Sequence, residues 1–376
     1  MIIPAAHGVQ MTSKERIRRT IGHEPTDRVP IDYSARAEVS AALAESLHLR
    51  AGESLQDRLG VDLRGVGPAF KQDTVPLCYA DPTIEVTADG VHRDIWGVGF
   101  RPNQTAAGFY MDLAVYPLRG LSALEELDDS PWPTADRWDY STIAGQAARN
   151  AGYWVWAHSR GVFEISWFLR GFDEFLSDLA VAPERACAVM DRVQGYLIDR
   201  ARRILDAGRG LIDMMEYNDD VGGQDGLLIS PEMWRELLKP RMAAFIRMCK
   251  GYGVKVRYHS CGGIRPIIRD LIEIGVDVLN PVQPLAAGMD PEGLKREFGG
   301  RLTFNGGIDT QRLLPYATPD EVGRTVRRLL GILAQGGGYI LAPSHVFQTD
   351  VPVANILAMY EAALGHRRFS EPLVLQ

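Results

Sequence analysis

Residues 255–263 read KVRYHSCGG, and this stretch decides the fold. KVRY is the most strand-like run in the second half of the chain, and HSCGG closes it with an imidazole, His259, and a thiol, Cys261, two positions apart. Successive strand residues alternate faces, so the two side chains project to the same side. Together they make half of a zinc site. Gly262 and Gly263 let the backbone turn sharply and leave room for something to approach the pair.

Seven more β-like runs lie on either side: Val29 to Tyr33, Val61 to Gly67, Tyr153 to His158, Leu211 to Glu216, Val276 to Leu279, Leu302 to Asn305 and Tyr339 to Pro343. Amphipathic helical stretches separate most of them. Ser230 to Gly251 starts with an N-cap serine and a first-turn proline, and Thr318 to Ala334 starts TPDEV, with acids where the helix dipole favours them. Thr12 to Glu15 has the form of a capping box. Strands alternating with helices predict parallel pairing through right-handed crossovers, and eight such units predict an α/β fold, a (β/α)₈ TIM barrel.

The interval 68–152 breaks the rhythm, being far longer than an ordinary connection. Within it IEVTADGVHRDIWGV alternates about Asp89-Gly90, a favoured type I′ pair, which predicts an inserted β-hairpin between the second and third strands, beside the barrel mouth. With no repeat or linker-like tract, residues 1–376 read as a single barrel domain, with an arm and helix over 1–28 and the insertion over 68–152.

The composition, 46% hydrophobic and 24% charged, is that of a globular chain. A formal charge of −7 argues against a nucleic-acid partner. The lack of a long apolar run or a secretory leader pattern predicts a cytoplasmic protein with no membrane span. The four cysteines lie far apart without a CxxC, which suits reduced thiols.

Barrel chemistry gathers on the loops after the C-terminal strand ends. Those positions hold Glu216, Asn218, Asp219, Asp220 and Gln224; His259 and Cys261; Asn280 and Gln283; Asn305 and Asp309; and His345. A catalytic zinc takes about three protein ligands. His259, Cys261 and His345 can supply them, with Glu216 as a fourth or displaceable ligand, although the runs at 255 and 339 are not neighbours in a barrel. The bland readings stand beside this one: a strand-end histidine bonds a loop carbonyl, a buried cysteine is a small hydrophobe, and Asp219 and Asp220 form a solvated loop or a helix cap. Trp156 and His158 share strand parity and therefore face the pocket together or not at all. The aromatics Trp154, Trp156, Phe163, Trp167 and Phe168 either meet a flat ligand or pack helix on sheet.

The ordered motifs RVPID, HSCGG, VDVLNPVQ, FNGGID, TPDEV and YILAPSHVFQTDVPVANI resemble the uroporphyrinogen decarboxylase superfamily, and within it the cobalamin-dependent methyltransferase branch. The decarboxylases carry an arginine-rich RQAGRY-like segment for the substrate's carboxylates, where this chain has RVPIDYSARAEV. In the methylcobamide:coenzyme M methyltransferases an H-x-C pair and a later cysteine in a PGCG-like segment bind zinc. His259 and Cys261 match the pair, and PSHV puts His345 in place of the cysteine.

The resemblance implies zinc held by His259, Cys261 and His345, with Glu216 as ligand or acid/base partner. It implies methyl transfer between a small O-methylated or thiol substrate and a corrinoid protein, which brings the cobalamin. Glu216 and Asp219 would be catalytic. Asn218, Asp220, Gln224, Asn280, Gln283, Asn305, Asp309, Trp156 and His158 would line the substrate site. The alternatives are porphyrinogen decarboxylation and a non-catalytic barrel that binds a corrinoid or its carrier.

Overall fold

The computed structural model describes residues 11–70, 85–86, 90–105, 108–130 and 132–365. Seven parallel strands form one sheet in chain order: β1 (Leu63–Val66), β2 (Trp154–Arg160), β3 (Met214–Asn218), β4 (Lys255–His259), β5 (Val278–Val282), β6 (Thr303–Ile308) and β7 (Tyr339–Pro343). The predicted run at Val29 appears as two isolated parallel bridges, Ile31 with Leu341 and Ala35 with Phe347. Pro30 has no N–H to give, so a regular ladder cannot form there. That segment still joins the two edges of the sheet. Asp32 N–H donates to the Leu341 carbonyl and Asp62 N–H to the Ile31 carbonyl, each at 2.9 Å, which closes the barrel.

Inside the barrel, the period of two carries each strand from an apolar floor to a polar mouth. Leu63, Trp154, Met214, Val278 and Ile340 form one buried cluster with Ile17 and Ile21. The last two belong to helix α1 (Ser13–Ile21), which plugs the floor. Two residues further along the same strands stand Gly65, Trp156, Glu216, Asn280 and Ala342. The outward positions, such as Tyr217, Val256 and Tyr258, pack into the helical layer.

Helix ends follow the sequence signals. The Thr12 hydroxyl accepts from Glu15 N–H, but Glu15 turns to Arg18 and Arg19, so only half of the predicted capping box forms. At Thr318 the box is complete. Ser230 caps as expected, and the helical run to Gly251 contains a wide π turn over Trp234–Leu238, just before Pro240. A residue that cannot donate an N–H and crowds the preceding turn favours such a local widening.

Between β1 and β2 lies an antiparallel four-stranded sheet: Glu85–Val86, His92–Arg93, Gly99–Thr105 and Gly108–Val115. Val86 pairs with His92 on the two sides of the Asp89-Gly90 segment. Asp89 itself lies outside the described residues. The sheet packs through Phe100 against Phe168, with ring centroids 6.4 Å apart, on helix α2 (Val162–Arg170).

Candidate metal centre

The end of β3 decides where two adjacent acids go. Helix α2 leaves its first N–H groups without intrahelical partners, as every helix does. Tyr217 and Asp219 satisfy them: Val162 N–H donates to the Tyr217 hydroxyl, while Phe163 and Glu164 donate to the two Asp219 carboxylate oxygens at 3.1 and 2.8 Å. Asp219 is fully buried, and burial raises its carboxyl to about 7 although the two N–H groups pull downward. A carboxylate so occupied serves as a helix cap, the structural duty weighed for it beside a catalytic one.

Asp220 turns the other way. Its Oδ1 accepts from Cys261 N–H at 2.8 Å and lies 3.8 Å from His259 Nε2. His259 Nε2 lies 3.7 Å from Cys261 Sγ, as strand parity requires. Donor atoms of Asp220, His259 and Cys261 all lie within 4.8 Å of one another, and among the described residues this is the group of three that could hold a metal.

His345, expected as the third ligand, is outside this group. Its imidazole nonetheless feels His259 and Asp220, and burial holds it below its ordinary value. Asp220 comes close to the pair because β3 and β4 are neighbours with Asn218 opposite His259, whereas β4 and β7 are separated by two strands.

The loop around the pair is fixed from several sides. Gln283 accepts from Gly262 N–H at 2.7 Å, and its amide reaches the Ser344 carbonyl at 3.5 Å. Gln283 therefore braces the site. Gly262 has φ +82°, and a Cβ there would meet the Gly222 and Gly223 backbone at 2.5 Å. What approaches these glycines is the chain's own antiparallel pair, Gly222–Gly223 with Gly226–Leu227. Gln224 is exposed between those two short strands.

Below the pair, Arg257 organises the polar lumen. Its guanidinium lies 2.5 Å from Glu216, 3.0 Å from Asp32 and 4.2 Å above the Trp156 ring. Burial alone would raise Glu216, but Arg257 with the His158 and His259 imidazoles holds it below its ordinary value. Glu216 is thus a buried ion-pair partner rather than a member of the ligand group. His158 Nε2 is 3.9 Å from Glu216 and its side chain is 44% exposed, so it faces open space at the mouth. Although the side chain reaches the lumen, the protein around the ring strips away part of its water, and this desolvation lowers it to about 4, which leaves a neutral imidazole at pH 7. Asn280 and Asn305 link His259 to Arg257.

Other expected substrate contacts have structural duties. Asp309 accepts the N–H groups of Gln311, Arg312 and Leu313 and so holds its own turn. Trp156 carries Arg257, Trp154 sits in the apolar floor, and Phe163 packs on Phe175, so each of these aromatics has a packing role. Sequence reasoning did not single out Asp32, Arg257 or Glu164. Strand parity with His259 was the available signal for Arg257.

The family Uroporphyrinogen decarboxylase (URO-D) matches residues 156–366. The chain belongs to this family. The match runs from β2 to the last described helix and contains all of Asp220, His259, Cys261 and His345. A methyltransferase from Methanosarcina mazei superimposes with a TM-score of 0.66 at 16% identity, covering 94% of this chain and 99% of that one. An α-galactosidase from Saccharomyces cerevisiae reaches a TM-score of only 0.36 at 9% identity, covering 94% of this chain and 64% of that one. No curated protein matches the sequence. The likeness to the methyltransferase concerns the fold, and family membership rests on the matched residues.

The donor set suits zinc. Tetrahedral geometry with Zn–N near 2.0 Å and Zn–S near 2.3 Å puts nitrogen and sulfur about 3.5 Å apart, against the 3.7 Å found here. Burial, Asp220 and Glu164 all push the Cys261 thiol up, so its surroundings disfavour a bare thiolate and favour a cation beside it. Among the described residues no helix is long and apolar enough to cross a membrane.

Proposed function

We propose that this chain is a methyltransferase that moves a methyl group between a small O-methylated or thiol substrate and a corrinoid carried by a partner protein. The observation that carries the reading is the Asp220, His259 and Cys261 cluster at the C-terminal strand ends. Family membership and the fold shared with a methyltransferase support it.

Asp220, His259 and Cys261 would hold zinc. That ion supplies Lewis acidity towards an ether oxygen, or holds a substrate thiol as thiolate. One oxygen and one nitrogen beside a single sulfur make a less thiolate-rich set, which suits the Lewis-acid role. His345 is available to the substrate or as a further ligand. His158, neutral and open to the lumen, can accept a proton, with Glu216 kept ionised by Arg257 behind it. Asn218 lies opposite His259 in register, which puts it at the same level of the mouth. The corrinoid would approach from the same face.

The carboxylates of Asp220 and Glu164 both act on Cys261, and negative charge there is a poor match to a polycarboxylate porphyrinogen. The test is metal analysis of protein purified without chelator, followed by a methyl-transfer assay with reduced corrinoid. One zinc per chain, lost in Cys261→Ala, together with methyl transfer, is the expected result. Absence of zinc, or CO₂ release from uroporphyrinogen, would overturn the reading.

A further inference from the structure

The side-chain chain beneath His259 has a fixed polarity. At one end Arg257 donates to Asn305 Oδ1 at 3.3 Å, and a guanidinium has nothing to accept with. At the other, Asn305 Nδ2 donates to the Ile340 carbonyl at 3.4 Å, and a carbonyl can only accept. These two ends settle which way the buried Asn305 amide points. Asn280 must then present its NH₂ to Asn305 Oδ1, at 2.9 Å. Its own Oδ1 is left facing His259 Nδ1 at 2.6 Å. An amide oxygen accepts, so Nδ1 carries the hydrogen.

From this geometry we infer that Asn280 and Asn305 are positioning residues that lock His259 in its Nδ1–H tautomer, leaving the Nε2 lone pair bare towards Cys261 and Asp220. Turning the Asn280 amide over would place its oxygen against Asn305 Oδ1 at 2.9 Å and an N–H against His259 Nδ1 at 2.6 Å. The opposite tautomer would leave the Nδ1 lone pair facing the Asn280 oxygen. Either change puts two acceptors in contact out of bulk water. The lock acts before any metal arrives and so lowers the reorganisation that binding demands.

The inference deepens the zinc reading, and its test separates the two. In ¹⁵N-histidine-labelled protein freed of metal, at about pH 8, where an ordinary imidazole is neutral, the His259 signals are assigned by comparison with His259→Gln. Nδ1 is expected to be the protonated nitrogen, and a predominantly Nε2–H ring overturns the lock whether or not zinc binds. Asn280→Ala is expected to lose the tautomer preference and to bind zinc roughly 10- to 100-fold more weakly in chelator competition. Asn280→Asp keeps an acceptor beside Nδ1 but sets a second acceptor against Asn305 Oδ1, so it is expected to recover the Nδ1–H tautomer and only part of that affinity. Wild-type zinc affinity and an unchanged tautomer in Asn280→Ala would also overturn the lock. Should Asn280→Ala fail to fold, the wild-type tautomer decides alone.

Discussion

Asp219 and Asp220 are adjacent in sequence and face opposite duties: the first caps helix α2 with both carboxylate oxygens, and the second turns towards Cys261 and His259. The two should therefore fail differently. Asp219→Ala removes a buried cap, which costs about 1–2 kcal/mol, more if the N–H groups stay unpaired, and lowers Tm by several degrees while zinc is retained. Asp220→Ala is expected to leave Tm of the metal-free protein nearly unchanged and to lose zinc affinity. Thermal melts in chelator and zinc titrations distinguish the pair, and reversed outcomes would reverse the assignment.

Gly161 gives the same arrangement a steric test. A Cβ at this position would lie 2.2 Å from Asp219 Cβ and 2.1 Å from its Cγ. The φ of −108° is ordinary for any residue, so the constraint is space alone. Gly161→Ala should destabilise by about 1–3 kcal/mol through overpacking. Gly161→Ala combined with Asp219→Gly should cost less than the sum of the two single changes, measured by urea unfolding.

The barrel was legible because eight runs with β character alternated with capped helices, and each reappears as a strand or bridge. HSCGG was legible because parity alone aligns His259 with Cys261. Asp220 was visible as a strand-end acid, but choosing it over Asp219 required knowing which N–H groups α2 would leave open. Arg257 escaped notice because a charged residue inside KVRY reads as solvent-facing until the register places Glu216 beside it and the closing segment brings Asp32. Such long-range pairings leave no local mark in the sequence.

Arg257 pairs with two carboxylates, the buried Glu216 and the partly buried Asp32. Burial pushes Asp32 up despite that neighbour. Arg257→Met should cost about 3–5 kcal/mol, because removing one partner strands the opposite charges in the lumen. Adding Glu216→Gln to that variant should restore part of the loss. If denaturant curves show Arg257→Met within error of the parent, the cluster is not the buried ion-pair system described.

His345 and Asp220 compete for the third-ligand role, and their variants rank them. Asp220→Ala should weaken zinc binding more than His345→Ala does, because Asp220 already has its oxygen beside both other donors. His345→Ala should act chiefly on methyl transfer, with zinc content kept. Loss of zinc in His345→Ala with retention in Asp220→Ala would restore the His/Cys/His set.

His158 offers a pH dependence with a definite sign. Burial lowers its imidazole to about 4 from the ordinary 6.5; Glu216 pulls upward, while Arg200, Arg160 and His259 push further down. Between those values the unfolded chain binds a proton that the folded chain refuses. Stability is therefore fully present above the unfolded value and is lost as pH falls towards the folded one, with a slope of at most about 1.4 kcal/mol per pH unit. The side chain is 44% exposed, so solvent reduces the effect below that limit. Urea unfolding of metal-free protein between about pH 7 and 5, where histidine ordinarily titrates, should show a smaller acid loss for His158→Gln than for the parent. Parallel curves for the two proteins would mean that His158 titrates alike in the folded and unfolded chains.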